Sequence, residues 1–189
     1  VKEGAAVSGT VPETTQPGFR RGGIWPHFRE GLLMLALDIP GKGKIVIKHV
    51  ILDFNGTLAA DGKLIPGVVS RLEALSSLVA VHVITADTNA SARSELATIP
   101  CTLKIIGHEQ QDRAKLEYAD ALGPGNVLAV GNGRNDVLLL EKAALGICVV
   151  QLEGAAVISM QAADMVCVDI NDALDLLLRS HRMTATLRN

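Results

Sequence analysis

Aromatic side chains are scarce in this 189-residue sequence, which holds three Phe, one Trp and one Tyr. Phe19, Trp25 and Phe28 fall in the first 33 residues, leaving Phe54 and Tyr118 for everything after them. Any core built beyond residue 33 therefore rests on Val, Leu, Ile and Ala. Cysteine is nearly as rare. Cys101, Cys148 and Cys167 are odd in number, lack Cys-x-x-Cys spacing and sit in or beside apolar runs. That pattern favours buried thiols in a reducing cytoplasm over a disulfide framework or a metal site. Long apolar runs are missing as well. Nothing approaches the roughly 18 residues of a membrane-spanning helix, and the apolar stretch 32–37 is too short for a signal-peptide core. Charge of one sign is also absent. With 18 Lys plus Arg against 20 Asp plus Glu, and no basic run interleaved with aromatics, nothing attracts a nucleic-acid backbone. The five His show no metal-ligand spacing, and His49 and His82, in or beside an apolar strand, read as structural.

What is present suits one packed domain, at 48% hydrophobic and 20% charged residues. Residues 1–33 hold six of the 18 Gly and three of the seven Pro without a sustained period, and are expected to form a flexible N-terminal extension before a domain spanning 34–189. Segments 35–39 and 44–48, parted by Pro40, Gly41, Lys42 and Gly43, predict a hairpin leading into a buried strand at 49–52. Apolar runs of strand length recur at 78–84, 103–106, 127–130, 147–150 and 165–168. Helical periods lie between them at 68–78, 89–97, 111–122, 135–145 and 171–178. This alternation predicts an α/β fold, a Rossmann-like three-layer α/β/α sandwich with a mainly parallel sheet, whose ligands sit beyond the carboxyl ends of the strands.

Those strand ends carry chemistry. The 49–52 strand runs into Asp53, Phe54, Asn55, Gly56 and Thr57. An aspartate there is either a turn residue or, facing a phosphate held by successive N–H groups, a nucleophile toward phosphorus. Thr85 ends the next strand and is either a helix cap or, with the Ala86 N–H, a phosphate ligand. Lys115 lies on a helix, where a lysine is either solvated or a charge that neutralises phosphate. The loop after 127–130 contains Asn132, Arg134 and Asp136. Opposite Asp53, the Asp136 carboxylate and the Asn132 amide oxygen suit Mg2+, which prefers oxygen donors and takes one or two protein carboxylates.

These four segments, in this order, resemble the haloacid dehalogenase-like phosphohydrolase superfamily. Segments 131–150, 171–178 and 182–188 further resemble the small soluble proteins related to the phosphorylation domain of P-type ATPases. The resemblance implies a Mg2+-dependent phosphatase or phosphotransferase working through a phosphoaspartate on Asp53. It implies Asp53, Asn55, Thr85 and Lys115 as catalytic residues, and Phe54, Asn55, Gly56, Thr57, Thr85, Ala86 and Lys115 around the phosphate. Asp53, Asn55, Asn132 and Asp136 would hold Mg2+. A short hairpin after Asp53, turning at Asp61 and Gly62, is implied too.

Two positions depart from the superfamily pattern. Asn55 stands where most members have an acid/base aspartate, and such proton transfer is worth roughly 10²- to 10⁴-fold in rate. Slow hydrolysis and good leaving groups, such as acyl or aryl phosphates, are therefore expected. Asn132 replaces a carboxylate at the metal. The alternative expectation is a non-catalytic phosphate- or metal-binding module docking on a partner such as a transporter. About 30 residues separate Asp53 from Thr85, and a similar stretch separates Thr85 from Lys115, too few for a large cap. The expected partners are accordingly a small phosphorylated substrate or a phosphoprotein, with a neighbouring copy in a homo-oligomer able to complete the open site.

Overall fold

Segments that are apolar throughout become inner strands, and those with one apolar stripe become the helices that cover them. The computed structural model describes residues 34–86 and 91–189, all within one compact unit. The predicted extension at 1–33 lies outside the described residues. Strands β1 (Leu35–Ile39) and β2 (Gly43–Ile47) pair antiparallel, with Ile39 opposite Gly43. One residue later β3 (His49–Asp53) enters the main sheet. A second small hairpin follows, β4 (Ala59–Ala60) and β5 (Lys63–Leu64). Its turn residues Asp61 and Gly62 both have positive φ, 49° and 75°, the two-residue turn whose twist matches the flanking strands.

Helix α1 (Val68–Ser76) then leads to β6 (Ala80–Thr85), and α2 (Ala92–Glu95) to β7 (Thr102–Ile105). The chain continues through α3 (Gln111–Leu122), β8 (Val127–Gly131), α4 (Val137–Lys142) and β9 (Leu145–Val149). It ends with α5 (Val157–Ala162), β10 (Met165–Cys167), α6 (Ile170–Leu178) and α7 (Ser180–Leu187). The six strands are ordered β10-β9-β8-β3-β6-β7, and every neighbouring pair is parallel.

Alternation along the strands splits the core in two. Val50, Leu52, Val81, Val83, Leu128 and Val130 share one cluster with Leu72 and Leu75 of α1 and Leu174 and Leu177 of α6. Ile51, Ile84, Val127 and Ala129 face the other way, against Ala119 of α3 and Leu139 and Leu140 of α4. The predicted three layers are thus present, with no cap domain among the described residues. In α6 the buried residues Ile170, Ala173, Leu174 and Leu177 keep one helical face, and the Asp169 carboxylate caps it by accepting the Asn171 N–H at 2.6 Å.

Two sequence expectations are corrected. The period at 89–97 gives helix only at Ala92–Glu95, with 87–90 outside the described residues. The 135–145 period starts as a tight 3-10 turn, Arg134–Asp136, and Leu145 already belongs to β9. Helices α5 and α7 were not foreseen.

Candidate active site

Strand β3 lies between β6 and β8, with Asp53 opposite Ile84 and Leu52 opposite Val130. Parallel register therefore brings Asp53, Thr85 and the loop after Gly131 to the same edge of the sheet. The side chain of Lys115 reaches that edge from α3. Its ammonium donates to Asp53 Oδ1 at 2.6 Å and to Asp136 Oδ1 at 2.6 Å. At 1% exposure Lys115 is not a solvated helix lysine. The second oxygen of Asp136 accepts the N–H groups of Asn132 at 3.0 Å and Gly133 at 2.9 Å, so this fully buried carboxylate is held on both oxygens and keeps one acceptor direction on Oδ1. Gly131 makes room for it, since a Cβ there would stand 2.4 Å from Asp136 Cγ. Asn135 ties the same loop to α3 by donating to Gln111 Oε1 at 2.7 Å.

Burial pushes the Asp53 carboxyl up to about 6, against the lowering pull of Lys115 and with a further raising push from Asp136. Burial alone would lower Lys115, but the two carboxylates outweigh it and hold the ammonium charged. Two carboxylates and one ammonium leave a buried excess of negative charge, the setting a hard cation relieves. Among the described residues no group of three or more His, Cys, Asp and Glu is placed to hold a metal ion. Mg2+ does not require one. It takes one or two carboxylates with neutral oxygens, water and phosphate, and the donor set Asp53, Asp136, the Asn55 carbonyl and the Asn132 amide fits that chemistry.

The turn after Asp53 corrects part of the sequence reading. The Gly56 N–H donates to Ala59 O at 2.7 Å, and the Thr57 N–H to Phe54 O at 3.3 Å. Neither is left for a phosphate. The Phe54 N–H interacts with the Asp53 carboxyl, and Asn55 is the turn residue whose N–H has no partner among the described residues. The Thr57 hydroxyl, fully buried, donates to Asn132 Oδ1 at 3.2 Å instead of facing a ligand. Asn132 Nδ2 in turn donates to Gly154 O at 3.0 Å, leaving one lone pair on Oδ1 for a cation. Gly56, at φ 75°, permits this approach, since a Cβ there would fall 2.4 Å from Asn132 Nδ2. Thr85 closes β6, buried, with Ala86 next to it packed on the second core cluster. Arg134 is exposed.

Several residues of the site's surround were missed by sequence reasoning. Glu95 accepts from Lys63 Nζ and the Leu64 N–H, each at 3.0 Å, and Glu153 accepts the Asp61 N–H at 3.3 Å, so the β4–β5 hairpin is tethered from two sides. Gln151 bonds the turn after Asp53. It has the signal that marked Asp53 and Thr85, a polar residue closing an apolar run of strand length.

No protein-family model matches the sequence. Over 80 residues the chain is 49% identical to the uncharacterized protein MJ0073 of Methanocaldococcus jannaschii, a match covering 40% of this chain and 86% of that protein. Among solved structures, the 3-deoxy-D-manno-octulosonate 8-phosphate phosphatase of Moraxella catarrhalis, in complex with magnesium, phosphate and KDO, superposes with a TM-score of 0.60. It shares 17% identity, over 75% of this chain and 94% of that one. A putative HAD superfamily hydrolase of Legionella pneumophila gives a TM-score of 0.61 at 19% identity, over 75% and 87% of the two chains. The cobalt-bound deoxy-D-mannose-octulosonate 8-phosphate phosphatase of Haemophilus influenzae gives 0.60 at 15% identity, over 76% and 94%. The chain belongs to the family of the Methanocaldococcus jannaschii protein MJ0073, and its fold is that of the haloacid dehalogenase-like hydrolases.

Proposed function

We propose that the protein is a Mg2+-dependent phosphatase or phosphotransferase that forms a phosphoaspartate on Asp53. The observation that carries this reading is the buried Lys115 ammonium held between Asp53 and Asp136 at the carboxyl end of a central strand. A free aspartate in a turn has no use for so costly an arrangement, because burying charge needs compensation by specific partners. A nucleophile does.

An oxygen of the Asp53 carboxylate attacks the phosphorus of a phosphate ester or anhydride, and the bond from phosphorus to the leaving oxygen breaks. Water then attacks the same phosphorus, releasing inorganic phosphate and restoring the carboxylate. Lys115 stays charged throughout, orients Asp53 and offsets the added negative charge, while the Asn55 N–H, Thr85 and the Ala86 N–H hold phosphoryl oxygens. Asp53, Asp136, the Asn55 carbonyl and Asn132 would hold Mg2+, which when bound supplies the charge that lets two anions meet. No carboxyl stands at position 55 to protonate the leaving group, so acyl and aryl phosphates are the favoured substrates. Two of the three structures similar in fold are by name octulosonate 8-phosphate phosphatases. For this chain the substrate class is a phosphomonoester or acyl phosphate, small or carried on a protein, that enters a site over which no cap domain stands among the described residues. Three free thiols accord with a reducing, cytoplasmic setting.

Incubation with acetyl phosphate and Mg2+, or with beryllium fluoride as a phosphoryl mimic, should give an adduct on Asp53 that Asp53→Asn lacks. No adduct at millimolar Mg2+ would sink the reading. Asn55 and Asn132 favour a second reading, a binding module that keeps the fold and has lost turnover. Turnover of an aryl phosphate that disappears in Asp53→Asn decides against it.

A further inference from the structure

We propose that Gln151 is a positioning residue for phosphoryl transfer, clamping the Gly56 and Thr57 carbonyls so that the Asn55 peptide group faces the reacting phosphate. This rests on the phosphatase reading of Asp53. Gln151 stands two residues beyond β9, and its side-chain amide is fully engaged. Nε2 donates to Gly56 O at 3.1 Å and to Thr57 O at 2.6 Å, and Oε1 accepts the Ile170 N–H at 2.9 Å. The clamp is therefore grounded on the first residue of α6, whose inner face is locked in the core.

Peptide planarity carries the effect to the site. A trans peptide points its C=O and the next N–H in opposite directions. Fixing Gly56 O and Thr57 O on one amide thus aims the Thr57 and Leu58 N–H groups the other way, and both meet Phe54 O, at 3.3 and 2.9 Å. Ala59 N–H joins them at 2.9 Å. With Phe54 O drawn into the turn by three donors, the Asn55 N–H of the same plane must point out of it. That N–H is the one the turn leaves unpaired among the described residues. No other donor to Gly56 O or Thr57 O occurs among the described residues, so Gln151 holds the carbonyl side of these two planes while Phe54 O holds their N–H side. Misplacement of a phosphate donor by about 1 Å is worth roughly 10²-fold in rate.

The test uses the full chain with Gln151→Leu, which removes the hydrogen bonds, and Gln151→Glu, which keeps the shape but turns an oxygen toward the two carbonyls. At a temperature where each variant is folded, single-turnover phosphorylation of Asp53 by acetyl phosphate is expected to slow about 10²-fold. Beryllium fluoride binding should weaken tenfold or more, and amide exchange should quicken at Leu58 and Ala59 while that of β3 and β8 is unchanged. A merely structural glutamine would lower the unfolding midpoint yet leave the rate per folded molecule alone. Wild-type phosphorylation matched by folded Gln151→Leu overturns the proposal for Gln151 and spares the phosphatase reading. A wild-type chain that takes up neither phosphoryl group nor beryllium fluoride overturns the phosphatase reading itself, and Gln151's part in a reaction with it. If Gln151→Leu does not fold, Gln151→Glu carries the same comparison.

Discussion

Thr57 donates its hydroxyl to the Asn132 amide oxygen at 3.2 Å, joining two loops that lie 75 positions apart in the chain. Asn132 is consequently both a candidate metal ligand and a fastener between the turn after Asp53 and the Gly154 carbonyl. Asn132→Asp separates the two. The carboxylate keeps an acceptor for Thr57 and adds an anion for Mg2+, but it removes the donor to Gly154 O. Calorimetric titration should show Mg2+ affinity rising about tenfold. Urea denaturation without metal should show a loss of about 1 to 2 kcal/mol, the cost of an unpaired buried carbonyl and an added charge.

Asn55→Asp restores an acid two residues after the nucleophile. Hydrolysis of alkyl phosphates, whose leaving oxygen needs a proton, should rise by roughly 10²-fold or more, and that of acetyl phosphate much less. Steady-state rates on the two substrate classes measure this. Equal effects on both would contradict the assigned deficiency.

Asp53 is held above its ordinary range, at about 6 against 3.8, mainly by burial. Between those values the folded chain binds more protons than the unfolded one, so stability declines as pH rises through the window, and the full cost persists above it. Metal-free Asp53→Asn escapes that cost while still accepting from Lys115. Its melting temperature should exceed that of the wild type at pH 8, by an amount on the order of 2 kcal/mol in stability, and the gap should close toward pH 4.

On the second core face, His82 Nε2 lies 3.1 Å from His49 Nδ1, and its Nδ1 lies 3.0 Å from the Tyr118 hydroxyl. Burial, then the neighbouring His49, lowers His82 to about 4, and burial, then Lys48, lowers His49. An unfolded histidine takes its proton near 6.5 while these resist, so this pair contributes stability that is lost as pH falls from about 6.5 toward 4. Urea midpoints measured in the Asp53→Asn background, which removes the opposing titration, should fall across that window. His82→Gln should flatten the decline.

The parallel strands were readable because most are continuous apolar runs, and α3 matched its period to the residue. Lys115 was ambiguous for a physical reason. Its helix is rich in charge, and only the convergence of Asp53 and Asp136, from two strands brought together by the sheet, gives its ammonium a buried place. The N–H groups of Gly56 and Thr57 were misassigned because their use inside the turn depends on how Phe54 O is aimed, which no residue type announces. Helix α5 escaped notice because Val157, Ile158 and Met160 are all exposed, so no polar face alternates with an apolar one. Gln151 was overlooked although it followed a strand as Asp53 did. Its partners are main-chain groups, two carbonyls and the Ile170 N–H, which no side-chain pattern announces.

Apart from Lys115 on α3, the proposed site residues stand on or beside three neighbouring strands, β6, β3 and β8, while the rim strands β7 and β10 bring none. The rims are thus attachment points for a dye, a tether or an inserted peptide. A reporter placed at exposed Val168, just past β10, would ride on the same rigid layer as Asp53 without entering its chemistry.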